Sequence, residues 1–209
     1  MKINVIGIGP GSLDYLLPAA NTAINECDII IGGKRNLQIF KHLSKEFYEF
    51  GSDLENLYTY INSNYEARKV GVIVSGDPGF YSLLSFLSKR FGKEKLSVIP
   101  GISSFQYLYA KLGKPWQQHL IASMHRREFD IIKILHDYKG IFLLTDEKNS
   151  PAVIARTLIG CGFGGCSMVV GENLSYAEER ILVGKPEIFI DKRFDSLSVV
   201  VIEKDGMEI

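Results

Sequence analysis

The sequence predicts an α/β protein of two lobes, with a mostly parallel N-terminal sheet, a mixed C-terminal sheet and a functional cleft between them. In the first half, short β-branched runs alternate with segments of helical periodicity, as in an open parallel sheet covered by helices. Gly113-Lys114-Pro115 breaks this pattern, and the last three strand-like segments, over 167–203, have little helix between them, so an antiparallel or mixed sheet is expected there. We therefore predict an N-terminal lobe over residues 1–112 and a C-terminal lobe over 113–209.

The first-lobe elements follow from local patterns. Pro18 suits a first helical position, because its missing N–H needs no partner there. Leu54, Leu57 and Ile61 recur at helical spacing. Strands are predicted at Ile3–Ile8, Asp28–Ile31, Glu46–Phe50, Val70–Val74 and Leu96–Ile99, and helices at Pro18–Glu26, from about Arg35, at Asp53–Tyr65, from Tyr81, and at Ser103–Leu112.

The second-lobe elements are fewer and less regular. Ser150-Pro151 reads as an N-cap followed by proline at the first helical position, and Gly160 ends that helix. The remaining predictions are strands at His119–Ser123, Ile141–Leu144, Ser167–Gly171, Glu179–Val183 and Leu197–Glu203, with a helix at Phe129–Tyr138.

Composition narrows the class of protein. The 209 residues carry 24 basic and 24 acidic side chains, a formal net charge of zero that argues against nucleic-acid binding by bulk charge. No apolar run approaches the roughly 20 residues of a membrane span, and no cleavable signal is apparent, so we expect a cytoplasmic protein. Three cysteines without CxxC spacing read as free thiols, and the four histidines form no metal-ligand pattern.

Glycine-rich turns follow four of the predicted strands. "GIGPG" at 7–11 lacks the third glycine of a dinucleotide site, and the helix that follows starts only at Pro18, which argues against NAD. The other strand ends carry "GG" at 32–33, "GDPG" at 76–79 and "PGISS" at 100–104. Ligands of open α/β sheets lie outside the carboxyl ends of the strands, and glycines allow close backbone approach. We therefore predict a small-molecule site whose one acidic residue is Asp77, which otherwise reads as a turn residue bonding its own backbone.

Three segments carry a resemblance to a known family. "GIGPG" at 7–11, "SGDPGFYS" at 75–82 and "PGISS" at 100–104 resemble the signatures of the tetrapyrrole methylases, in the same order. The resemblance covers nearly the whole chain and implies that family's two-lobed fold. It also implies methyl transfer from S-adenosylmethionine to a corrin or porphyrin precursor, with no resident metal.

Further segments are similar to one branch of the family. "GGKR" at 32–35, "SMHRR" at 123–127 and "LLTDEKNSP" at 143–151 resemble the branch that acts on corrin precursors of cobalamin biosynthesis, and imply methylation of cobalt-precorrin-7 at C5. At 125–127 the chain has His-Arg-Arg where that branch has His-Gly-Arg. The resemblance also implies a homodimer and a separate decarboxylating precorrin methyltransferase as functional partner.

Site residues follow from the matched positions. The resemblance implies Asp77 and His125 as candidate catalytic groups. Arginine and lysine near strand ends would pair with the carboxylates of the macrocycle, which implies a substrate set of Lys34, Arg35, His125, Arg126 and Arg127. The implied cofactor set is Pro10, Gly76, Asp77, Phe80, Ser103, Ser104, Leu144 and Asn173.

Two alternatives stay open at this point. One is another specificity within the family, either a different ring position or protein methylation like that of diphthine synthase. The other is a nucleotide-binding module without catalysis.

Overall fold

A computed structural model describes residues 1–124 and 130–204. The chain divides into two compact units, Met1–Ser103 and Ser104–Ile209. That division falls before the helix that follows Ser103, whereas the boundary proposed from the sequence, between 112 and 113, falls after it. The assignment of functional lobes to 1–112 and 113–209 stays a prediction. Within the described residues, no helix combines the length and apolarity that a bilayer crossing requires.

The first unit is built on one sheet. The strands are β1 (Ile3–Gly7), β2 (Ile29–Gly32), β3 (Glu46–Glu49), β4 (Val70–Val74) and β5 (Leu96–Ile99). They lie in the order β3-β2-β4-β1-β5 and all neighbours pair in parallel, for example Val5 opposite both Val72 and Val98. The predicted parallel sheet is therefore confirmed.

Both faces of this sheet are buried. Successive side chains of a strand point to opposite faces, so Ile29 and Ile31 join one apolar cluster and Ile30 joins the other. Burial on both sides explains why the strands read as continuous apolar runs. The helices are α1 (Pro18–Glu26), α2 (Lys34–Phe40), α3 (Leu54–Asn64) and α4 (Leu84–Phe91); α3 and α4 contribute to the first cluster, α1 and α2 to the second.

One predicted helix start in the first unit is wrong. The apolar spacing predicts a helix from Tyr81, but α4 begins at Leu84. Tyr81 has φ of 49°, a left-handed conformation that cannot open an α-helix. The preceding turn is closed by Phe80 N–H, which donates to the Asp77 carbonyl at 3.1 Å. The loop after β4 is therefore longer than the sequence pattern indicated.

The second unit carries a mixed sheet, as predicted. The elements are α5 (Ser104–Leu112), β6 (His119–Ser123), α6 (Ile131–Asp137), β7 (Gly140–Leu144), α7 (Pro151–Gly160), β8 (Ser167–Glu172), β9 (Arg180–Gly184) and β10 (Ser198–Glu203). The described strands lie in the order β6-β7-β10-β8-β9; β6 and β7 are parallel, and the other pairs are antiparallel.

The predicted caps hold in this unit. Ser150 Oγ accepts from Val153 N at 3.4 Å, and Pro151 takes the first position of α7. Helix α6 begins at Ile131, with Asp130 accepting from Lys133 N at 3.0 Å. The helix predicted from Phe129 therefore starts later, and Phe129 itself lies outside the described residues. The apolar core of the unit includes residues of α6 and α7 packed with β7, β8 and β10.

Candidate active site

Three glycine loops meet at the carboxyl end of the first sheet. Gly76 N donates to Gly9 O at 2.7 Å, and Gly9 N donates to Gly76 O at 3.4 Å, so the loops after β1 and β4 pair directly. A Cβ on Gly7 would lie 2.6 Å from both Gly101 N and Gly76 O. These glycines are required because neighbouring loop backbones occupy the space of a side chain. The sequence analysis assigned that space to a ligand; at Gly7 and Gly101 it is filled by protein.

Asp77 links two of these loops. Its Oδ1 accepts from Gly79 N at 2.8 Å within its own turn, and its Oδ2 accepts from Gly101 N at 3.2 Å in the loop after β5. The turn role that the sequence analysis weighed for this residue is therefore confirmed. Both carboxylate oxygens accept from backbone N–H groups, which fixes the side chain at the rim. The catalytic role of Asp77 stays a prediction.

The structure brings Arg35 to the same rim. Arg35 Nη2 donates to Ser75 Oγ at 3.1 Å, and Ser75 Oγ donates to Asn36 Oδ1 at 2.9 Å. Ser75 immediately precedes Gly76, so the start of α2 contacts the loop after β4. Lys34 is the first residue of α2, and both Lys34 and Arg35 are exposed. A cationic edge therefore borders the loop that carries Asp77.

The other predicted cofactor residues of the first unit lie on these loops. Pro10 follows the paired Gly9 and is half-buried. The Phe80 ring contacts the Tyr81 ring edge-on, with centroids 5.0 Å apart. Ser103 is 1% exposed, so its side chain is enclosed by protein. The Cα of Ser103 lies 3.4 Å from the position of a Cβ on Gly76, which places it against the loop after β4.

A row of polar side chains marks one edge of the second sheet. The last residues of β6 and β7, Ser123 and Leu144, pair with each other, and the first residue of β10, Ser198, pairs with Glu172 at the end of β8. Thr145 Oγ1 donates to Ser198 O at 2.6 Å. Four of the polar residues at these strand ends are buried, although such residues are mostly exposed in proteins: Ser123, Thr145, Glu172 and Ser198. Leu144, the predicted cofactor contact, is half-buried within this row.

Asn173 follows β8 directly and has an uncommon backbone. Its φ is 47°, in the left-handed region, and its N–H donates to Leu197 O at 3.0 Å. Within residues 1–124 and 130–204 its side-chain amide makes no hydrogen bond, although the residue is half-buried. An amide with unused donors and acceptors at the carboxyl end of a strand is suited to a polar ligand.

Two acidic residues that the sequence analysis did not single out hold the segment around Asn173. Glu172 is 3% exposed; its Oε2 accepts from Arg180 Nε at 2.6 Å and its Oε1 from Asp195 N at 2.7 Å. Glu179 Oε2 accepts from Tyr107 Oη at 2.5 Å and from Ser175 N at 2.6 Å. No sequence pattern signals these bonds, because Tyr107 and Asp195 are distant from their partners in the sequence and the bond from Ser175 depends on its left-handed backbone.

His125, Arg126 and Arg127 lie outside the described residues. Their predicted roles in substrate binding, and that of His125 in catalysis, stay predictions. Among the residues that the structure covers, no cluster of three or more histidine, cysteine or acidic side chains is placed to hold a metal ion.

S-adenosylmethionine is the cofactor that the family resemblance implies, and the donor chemistry of the described residues fits it. Adenosine is uncharged and offers hydrogen-bond donors and acceptors, which matches the Asn173 amide and the polar edge beside it. The methionine portion carries both charge signs, and the rim of the first unit offers backbone groups beside the Asp77 carboxylate, which accepts from Gly79 N and Gly101 N.

The chain belongs to the tetrapyrrole methylases. The family described as Tetrapyrrole (Corrin/Porphyrin) Methylases matches residues 2–187, which is most of the chain. The fold agrees with this: a precorrin-6Y methylase of cobalamin biosynthesis from Archaeoglobus fulgidus superposes with a TM-score of 0.75, covering 99% of both chains at 21% identity.

Two relatives of known name indicate the branch of the family. A cobalt-precorrin-7 C(5)-methyltransferase from Salmonella typhimurium is 33% identical over 202 residues, which cover 97% of this chain and 99% of the relative. A precorrin-6Y C(5,15)-methyltransferase [decarboxylating] from Sinorhizobium is 29% identical over 96% of this chain, which corresponds to 49% of the relative. Both relatives are precorrin methyltransferases, which is the branch of the family that the segments at 32–35, 123–127 and 143–151 resemble.

Proposed function

We propose that this protein is an S-adenosylmethionine-dependent methyltransferase that methylates cobalt-precorrin-7 at C5 in cobalamin biosynthesis. One observation carries the proposal: the Salmonella protein of that name is similar to this chain over nearly the full length of both. Partial matches would leave the specificity of the ring position undetermined. Here the similarity covers 97% of this chain, so it extends over both units.

The chemistry asks the protein mainly for positioning. The sulfonium of the cofactor supplies an activated methyl group, and an electron-rich ring carbon attacks it. Holding reacting atoms about 3–3.5 Å apart in line can contribute as much as ~7–11 kcal/mol of barrier lowering. The mutual packing of Gly7, Gly76 and Gly101 provides a rim that cannot shift one loop at a time.

We propose that Asp77 acts chiefly by fixing this rim. Its two oxygens join the loop after β4 to the loop after β5, so one carboxylate aligns both. A proton must also leave the ring carbon, and a positioned base can add about 10²–10⁴-fold to that step. Asp77 and His125 are the candidates for it, with His125 carried over from the family resemblance.

The cofactor and substrate residues are proposed as two sets. Backbone groups, neutral side chains and the Asp77 carboxylate would bind S-adenosylmethionine, and cations would pair with the acetate and propionate groups of the ring. The proposed cofactor set is Pro10, Gly76, Asp77, Phe80, Ser103, Ser104, Leu144 and Asn173, and the proposed substrate set is Lys34, Arg35, His125, Arg126 and Arg127.

Substitution of the paired arginines tests the substrate set. Arg126→Ala with Arg127→Ala should weaken binding of the macrocycle, because each charge-assisted hydrogen bond to a carboxylate contributes about 1.5–3 kcal/mol. The affinity for S-adenosylhomocysteine should stay within about twofold of wild type. Lys192→Ala with Arg193→Ala, an exposed cationic pair elsewhere in the chain, is the matched control. Unchanged macrocycle affinity in the first variant would assign both arginines to the solvated surface.

Calorimetry tests the cofactor class. S-adenosylmethionine and S-adenosylhomocysteine should bind with micromolar dissociation constants, whereas NAD and ATP should not bind. Transfer of a labelled methyl group from the cofactor to cobalt-precorrin-7 then tests catalysis. Binding of NAD instead, or cofactor binding without transfer to any tetrapyrrole, would refute the proposal.

The assembly and location are further proposals. We propose a cytoplasmic homodimer, as the family resemblance implies, which light scattering coupled to gel filtration and cell fractionation would test. We also propose a separate decarboxylating precorrin methyltransferase as functional partner. The Sinorhizobium relative, whose name combines C5 and C15 methylation with decarboxylation, supports a link between the two activities.

A further inference from the structure

The segment after β8 has the least ordinary backbone of the second unit's described residues. Asn173 and Ser175 have φ of 47° and 69°, and apart from Tyr81 they are the non-glycine residues with positive φ in residues 1–124 and 130–204. Two such residues in a three-residue stretch persist only when their surroundings fix them, and backbones of this kind cluster at ligand sites. The segment follows β8 and is half-buried, and the Asn173 side chain makes no hydrogen bond to the other residues that the structure describes.

One carboxylate fixes this segment from the side. Glu179 Oε2 accepts from Ser175 N at 2.6 Å, the N–H of the more strained residue. The same oxygen accepts from Tyr107 Oη at 2.5 Å, and Lys111 Nζ lies 3.3 Å from Oε1. Tyr107 and Lys111 belong to α5, so Glu179, at the end of the loop between β8 and β9, ties that loop to a helix.

The charge state of the cluster agrees with this geometry. Burial opposes ionisation of Glu179, but the hydrogen bonds from Tyr107, Ser175 and Lys111 outweigh it and lower the pKa of the carboxyl. Burial, and then the bond to Glu179, raises the pKa of Tyr107 to about 12. At neutral pH an anionic acceptor therefore faces three donors, which is the stronger class of hydrogen bond.

The geometry points to Glu179 as a positioning residue that holds the 173–175 turn so that the Asn173 amide is presented to the cofactor. The inference rests on the proposed function, because it takes S-adenosylmethionine as the ligand at this edge. Glu179 touches neither cofactor nor reacting atoms in this account; it acts through Ser175 on Asn173.

A double-mutant cycle measured as affinity for S-adenosylhomocysteine tests the inference. Glu179→Gln keeps the shape of the side chain and removes the charge, Asn173→Ala removes the amide, and each should weaken binding about tenfold, the worth of one net hydrogen bond. If Glu179 acts through Asn173, the double variant should also be about tenfold weaker, whereas independent effects would multiply to about a hundredfold. Glu178→Gln, an exposed neighbour, is the matched control and should bind as wild type does.

The outcomes separate a positioning role from a structural one. A lower melting temperature in Glu179→Gln with unchanged affinity, or a hundredfold loss in the double variant, would overturn the inference and leave the proposed function intact. Failure of the wild-type protein to bind the cofactor product would refute the proposed function and the inference together. Should Glu179→Gln not fold, Tyr107→Phe removes one donor to the same carboxylate; about threefold weaker binding supports the inference, and unchanged binding overturns it.

Discussion

Gly101→Ala is the substitution whose cost the structure specifies most directly. A Cβ on Gly101 would lie 2.1 Å from Gly76 O, and 2.8 and 2.9 Å from the backbone C and Cα of Gly7. The closest of these distances is more than an ångström inside ordinary van der Waals contact. All three atoms are backbone, so no side chain can rotate away and at least one loop must move. Overpacking of this kind costs about 1–3 kcal/mol, and we expect a value near or above the upper end.

A loss of about 3 kcal/mol is large against the 5–15 kcal/mol by which proteins are typically stable. The assay is urea unfolding followed by far-ultraviolet circular dichroism, with the free energy taken by linear extrapolation. Gly33→Ala is the matched control, because Gly33 also follows a strand of the same sheet but a Cβ there would meet nothing within 4 Å. We expect its stability to change by no more than about 0.5 kcal/mol.

Function should change in the same variant. Displacing the loop after β5 moves Gly101 N away from Asp77 Oδ2, which removes one of the two bonds that fix the carboxylate. Affinity for S-adenosylhomocysteine should therefore fall in Gly101→Ala and remain in Gly33→Ala. Equal stability of the two alanine variants would refute the argument that the glycines serve loop-to-loop packing.

Three further predictions follow from single residues. In Asp77→Asn the amide nitrogen must face one of two backbone N–H donors, so cofactor affinity and turnover should fall together. Unchanged affinity in calorimetry together with full turnover would contradict the rim-fixing role. Burial lowers the pKa of His119 below its usual 6.5, so near and below that pH the unfolded chain binds more protons than the folded protein. The free energy of unfolding should therefore fall as pH decreases below about 6.5. The urea midpoint should decrease with pH in this range in wild type, and the decrease should be lost in His119→Gln. Cys161 is exposed, whereas Cys27 and Cys166 are buried, and burial raises the pKa of Cys166 to about 11. A thiol reagent should therefore label one cysteine quickly in the native protein and all three after denaturation. Rapid labelling of all three cysteines in the native protein would contradict the described core.

The elements of the fold could be predicted wherever one local rule decides them. Pro18 and Ser150-Pro151 set helix starts by geometry that needs no tertiary partner, and both starts are confirmed. The start of α4 could not be predicted, since nothing in the sequence shows that Tyr81 adopts a left-handed conformation. The pairing of β10 between β7 and β8 likewise depends on long-range contacts.

The place of the glycine loops at the carboxyl end of the first sheet could be predicted from the sequence, but the packing role of each glycine could not. The glycine loops identified the rim, because side-chain-poor strand ends are visible in the sequence. Their reason differs from the prediction: at Gly7 and Gly101 the missing side chain makes room for another loop. The role of Glu179 could not be predicted from the sequence, because its bonds with Tyr107 and Ser175 are recognisable only in the folded chain.

The position of the transferred methyl group tests the central claim most directly. The protein would be incubated with cobalt-precorrin-7 and S-adenosylmethionine carrying a ¹³C-methyl group, and the product analysed by carbon NMR. We predict a single labelled methyl on C5 of the ring. A label on any other carbon, or on a protein acceptor with none on the ring, would contradict the proposed function.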